Sequence, residues 1–178
     1  MFSTFEVKKE NGMMIRGRFY EAKQEIKTLI LCHGFTSSML ETSKYAEQLM
    51  QNGISTYIFD FCGGGYQTIS DGDFHYYMTP LTEVDDLCTI VHYVLEKEKK
   101  RQVCVGGCSQ GGFVSSLFAS RNPSLVEKLV LLYPAFCIPD DARSGHMQNI
   151  VFDPGNIPDK VGIMPMQVSG NYPKSVIH

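Results

Sequence analysis

Gly107-Cys108-Ser109-Gln110-Gly111 sets a serine between glycines in the spacing G-x-S-x-G. The pattern alone arises by chance in roughly one of ten to twenty chains this long, so its surroundings decide its meaning. The apolar run Val103-Cys104-Val105-Gly106 leads into it and a helical pattern follows. That is the strand–turn–helix setting in which a serine hydroxyl is presented on a sharp turn. The chemistry open to such a serine is acyl transfer. Ser109 would attack a carbonyl carbon, and the Gln110 N–H, at a helix start, would face the oxygen that gathers charge. His33-Gly34-Phe35 follows the apolar run ending at Cys32, at the strand end where parallel α/β sheets bind ligands. Gly34 permits a close backbone approach, and the Phe35 N–H can be a second oxyanion donor. Two donors matter, because losing one typically costs 10²–10³ in rate. His33 itself reads as a brace for this loop rather than a proton carrier. Cys108 is expected to face away from the site.

Short β-rich runs alternating with helical patterns must position these residues, which points to an α/β domain with a mostly parallel sheet. Residues 5–8 and 13–20, around Glu10-Asn11-Gly12, predict an N-terminal hairpin in which Asn11-Gly12 supplies positive φ values. Buried strands are expected over 28–32 and 55–59, a short strand over 103–106 and an apolar strand over 129–132, with helices over 43–52, 82–99 and 113–120. Gly53 should end the first helix, and Thr82 with Asp85 should form a capping box on the second. The basic run Lys97, Lys99, Lys100 and Arg101 reads as a solvated helix end. Beyond Phe136, prolines at 139, 154, 158, 165 and 173 break the chain into short pieces, the texture of an insertion or lid.

Composition narrows the class. The chain has 178 residues, 43% of them hydrophobic, enough for one domain with a sizeable core. A net charge of -3 and a pI near 5.9 argue against nucleic acid. No apolar run reaches the roughly 18–20 residues of a membrane span, and no export signal is visible at Met1-Phe2-Ser3-Thr4. The expectation is a cytoplasmic protein whose scattered cysteines are reduced. Asp71-Gly72-Asp73 lacks the rest of a calcium loop. Cys104 and Cys108 have no histidine at zinc spacing, and Gly63-Gly64-Gly65 lacks the Gly-Lys-Ser/Thr ending of a phosphate loop. Neither a metal nor a cofactor is expected; the partner would be a small-molecule ester.

The chain resembles the α/β-hydrolases, and within them the bacterial cinnamoyl/feruloyl esterases. The matching pieces are Leu31-Cys32-His33-Gly34-Phe35, Phe59-Asp60-Phe61, Leu81-Thr82-Glu83-Val84-Asp85-Asp86-Leu87, Gly107-Cys108-Ser109-Gln110-Gly111-Gly112, Tyr133-Pro134-Ala135 and Phe152-Asp153-Pro154. The resemblance implies a core over residues 1–135 and a lid over 136–178, with Ser109 as nucleophile and Phe35 and Gln110 as oxyanion donors. It also places Asp141, Gln148 and Tyr172 where similar esterases make polar contacts to a phenolic acyl group.

Such a hydrolase orders its triad as serine, acid, histidine, the last two on loops after the seventh and eighth strands. Neither is expected in this chain. His33, His75, His92, His146 and His178 are the histidines present, and none follows a strand that could deliver it to Ser109. The expectation is therefore a C-terminally truncated, nearly inactive esterase, with the last two strands and helices missing. The strand at 129–132 would then carry a bare edge prone to self-association. Two other readings stay open: a peptidase or acyltransferase on the same fold, and a non-catalytic module that binds a small aromatic acid.

Overall fold

The computed structural model describes residues 1–177. Two antiparallel strands open the sheet, β1 (Ser3–Lys8) and β2 (Met14–Tyr20). Their connection is looser than the sequence suggests. Of the Asn11-Gly12 pair only Gly12 has a positive φ, 89°, and the Asn11 side chain instead accepts from the Met13 N–H at 3.1 Å. Four more strands follow: β3 (Lys27–Cys32), β4 (Ile54–Phe59), β5 (Val103–Cys108) and β6 (Val126–Leu132). The sheet order is β1-β2-β4-β3-β5-β6, parallel from β4 through β6. The chain is thus an α/β protein of the expected class.

Side-chain alternation explains the two apolar layers. Leu29 and Leu31 on β3 face α1 (Met39–Gln51), with Met39 and Ala46 against them. Ile30 and Cys32 face the other way, into a core completed by Leu87, Val91 and Val94 of α2 (Pro80–Lys97) and Val114 and Phe118 of α3 (Gln110–Arg121). Central strands covered on both faces carry apolar runs, Leu29–Cys32 in β3 and Val103–Val105 in β5.

Helix and strand starts differ from the sequence expectation for physical reasons. Helix α1 begins at Met39 rather than 43, because Ser38 caps it and the Asp60 carboxylate accepts the Met39 N–H at 2.6 Å. Helix α2 begins at Pro80: the capping box is Thr79 with Thr82, not Thr82 with Asp85. Proline at the first turn needs no N–H partner, so Pro80 belongs inside the helix. Strand β5 continues to Cys108, and α3 starts at once at Gln110 rather than at 113. Strand β6 begins at Val126 rather than 129; it pairs only with β5 among the described residues. Its Leu129, Val130 and Leu131 are 40%, 40% and 36% exposed.

After β6 come α4 (Ile138–Arg143), the two-residue strand pairs β7 (His146–Met147) with β8 (Ile150–Val151) and β9 (Lys160–Val161) with β10 (Val168–Ser169), and α5 (Asn171–Lys174). This segment has its own apolar cluster, in which Met147, Phe152, Val161, Val168 and Tyr172 close on Phe74 and Met78 of the loop before α2. It therefore sits on the C-terminal edge of the sheet. No described helix is long and apolar enough to cross a membrane.

Candidate active site

The turn between β5 and α3 is built to hold one side chain outward. Ser109 has φ 50° and ψ −118°, a conformation that costs a non-glycine residue about 1–3 kcal/mol. Surrounding hydrogen bonds fix it. The Ser109 N–H donates to the Leu132 carbonyl at 3.0 Å, and the Ser109 carbonyl accepts from Gly112, Phe113 and Ala135 at 3.0, 3.2 and 2.9 Å. The flanking glycines make the turn sterically feasible. A Cβ on Gly107 would lie 2.3 Å from the Gly111 backbone, and one on Gly111 would lie 2.3 Å from the His33 carbonyl oxygen. These contacts bring the start of α3 against the loop after β3, where a Cβ on Gly34 would lie 3.3 Å from the Ser109 Cβ.

That loop is braced as expected. His33 is fully buried; its Nδ1 lies 2.9 Å from the Gly34 carbonyl, and its Nε2 accepts the Phe61 N–H at 3.1 Å. The tautomer with hydrogen on Nδ1 satisfies both contacts, and burial lowers the imidazole pKa and so favours the neutral ring. Among the described residues, neither the Phe35 nor the Gln110 backbone N–H makes a hydrogen bond, so both donors are free beside Ser109.

A cavity of about 300 Å³ opens at this point, lined by Phe35, Ser109, Gln110, Asp141, Gln148 and Tyr172 together with apolar side chains of Ile138, Ala142 and Met147. All six residues singled out in the sequence thus share one cavity. Cys108 is buried and does not line it. Asp141 and exposed Gln148 stand on the α4 side, Gln148 with φ 54°. Tyr172 lends the ring, while its hydroxyl is already engaged: it donates to Gln110 Oε1 at 2.5 Å. Burial pushes that hydroxyl's pKa up, so it stays a donor.

One residue escaped the sequence reading and another was set aside by it. Glu83 on α2 is 1% exposed and accepts from Gln110 Nε2 at 2.8 Å. Burial lifts its carboxyl well above the usual range, with Asp86 one turn along adding to the rise against the Gln110 hydrogen bond. The signal was present, since Glu83 shares helical spacing with the buried Leu87, Ile90 and Val94. The second is His146, which lines the cavity from the α4–β7 turn; its Nδ1 lies 3.4 Å from Ser144 Oγ. No described histidine hydrogen-bonds Ser109, and His178 lies outside the described residues. Among those residues no three His, Cys, Asp or Glu side chains converge as metal ligands would.

The sequence profile of the family described as serine aminopeptidase, S33, matches residues 23–152. No curated protein matches the chain significantly. Among solved structures, Est1E from Butyrivibrio proteoclasticus with ferulic acid bound is 28% identical with a TM-score of 0.87, the match covering 97% of this chain and 70% of that one. Another Est1E structure gives 24% identity, a TM-score of 0.82, and coverage of 98% and 69%. The Pyrococcus furiosus esterase Pf2001 shares 24% identity over 83% of this chain and 57% of its own, with a TM-score of 0.66, a likeness of fold alone.

Proposed function

The chain belongs to the serine aminopeptidase S33 family, on an α/β-hydrolase fold, and on that premise we propose that it is a serine hydrolase of carboxylic esters with a small aromatic acyl group. One observation carries the reading: Ser109, two free backbone N–H groups and an apolar cavity with polar groups at its wall meet at a single strained turn. Likeness to a structure holding ferulic acid supports the acyl class. In the reaction Ser109 Oγ bonds to the ester carbonyl carbon as its proton passes to a base. The N–H groups of Phe35 and Gln110 hold the oxyanion. The alcohol then leaves with a proton, and water cleaves the acyl-serine to release the acid.

The segment from 136 serves as a lid over the acyl group. With the Tyr172 hydroxyl engaged by Gln110, polar contacts to a phenol fall to Asp141 and Gln148. Among the described residues no acid or base of a triad touches Ser109, so the proposal is tested first by binding rather than by turnover. The family's description favours a second reading, cleavage of an aminoacyl amide at the same serine. Titrating ferulate and an α-amino acid amide into the ¹⁵N-labelled chain separates the two. The ester reading expects ferulate to shift Gln110, Asp141 and Gln148, with the amide competing weakly. Preferential binding of the amide, or shifts confined to other regions, would refute it.

A further inference from the structure

The elbow's second residue is held by its side chain as well as its backbone. Tyr172 on α5 donates to Gln110 Oε1 at 2.5 Å, and Gln110 Nε2 donates to Glu83 Oε2 at 2.8 Å. All three side chains are buried, Gln110 and Glu83 each 1% exposed. The path therefore runs from lid to elbow to the first turn of α2 without a break. It fixes which way round the Gln110 amide lies, since the tyrosine needs an acceptor and the carboxyl oxygen a donor.

No cation among the described residues pairs with Glu83, whereas Asp86 on the same helix has Lys9. Its second oxygen, Oε1, is buried with no partner among the described residues. A lone carboxylate would be costly in such a place, while a neutral carboxyl can still accept from Gln110. The residue it holds is Gln110, whose backbone N–H is free next to Ser109 in the chain, and the same side-chain amide meets Tyr172 of α5.

We propose that Glu83 is a positioning residue: as a neutral carboxyl it orients Gln110, which in turn sets an oxyanion donor and latches the lid through Tyr172. The proposal rests on the reading of Gln110 as an oxyanion donor, but its test reads structure rather than turnover, so the two can fail separately. The full 178-residue chain is labelled with ¹⁵N, and two signals are followed: the Gln110 side-chain amide and hydrogen exchange across 170–176. Glu83→Gln places an amide oxygen where Oε2 accepts, and it is expected to keep both signals, with exchange within about twofold of the parent. Glu83→Leu removes the acceptor and Tyr172→Phe the donor. Each is expected to free the Gln110 amide and speed lid exchange about fivefold, the loss of one net hydrogen bond. The double variant should exchange little faster than either single one, because each change breaks the same chain.

A Glu83→Gln variant as loose as Glu83→Leu would overturn the proposal by showing that a charge is required. A folded Glu83→Leu with lid and Gln110 unchanged would overturn it too. Where Glu83→Leu does not fold, Tyr172→Phe decides: an unaltered Gln110 amide and lid would end the argument.

Discussion

Ser109 keeps a backbone conformation suited to glycine, and nothing in its packing demands a hydroxyl there. Strain retained at a serine is best explained by what the serine does, and it has a measurable consequence. Ser109→Gly relaxes the turn, whereas Ser109→Ala removes the hydroxyl and leaves the strain. The glycine variant is expected to melt a few degrees above the alanine variant, roughly 1 kcal/mol. Equal melting temperatures would mean that the turn is not strained. A second residue-scale test concerns Asp86, which is fully buried with Lys9 paired to it and accepts the Cys62 N–H at 2.7 Å. Burial outweighs the attraction of Lys9 and pushes its pKa up to about 6. A raised folded pKa gives stability that is full below the unfolded value and is lost as pH rises through about 6. Lys9→Met lifts that pKa further, so its cost should be small near pH 4 and about 3 kcal/mol at pH 8. Denaturant melts at the two pH values check this, and an equal cost at both would contradict it.

The strands were legible because being covered on both faces leaves a continuous apolar run, as in Leu29-Ile30-Leu31-Cys32 and Val103-Cys104-Val105. Helix starts were less so, since they are set by partners far away in sequence. Asp60 receives the Met39 N–H, and no local pattern around residue 39 announces that. Thr79-Pro80 was a readable cap obscured by the neighbouring Thr82, which serves as the box's other half. The turn at Ser109 and the loop at Phe35 were visible because the glycines there allow close backbone approach. Glu83 was hidden in plain periodicity, since a buried carboxyl on an apolar helix face looks like a solvated charge until its partner is known.

At the scale of the molecule, the described sheet ends in β1 on one side and β6 on the other. Leu129 and Leu131 project on one face, while Val130 and Leu132 line an apolar groove shared with Leu29, Leu31, Tyr45 and Leu49. An unpaired apolar edge pairs readily with another chain. The 178-residue chain is expected to self-associate at micromolar concentration, and Leu131→Lys to shift it toward monomer in sedimentation velocity. A monomeric parent would count against this.

The most direct measurement is prolonged reaction of the folded chain with an aryl fluorophosphonate, the adduct mapped by peptide mass and Ser109→Ala run beside it. With two free N–H groups beside it and no described histidine touching it, Ser109 should label slowly, as the sole site, and not at all in the variant. Stoichiometric labelling within minutes would reveal a base already touching Ser109. Adducts spread over other serines would show that the turn, the cavity and the two N–H groups do not form an active site.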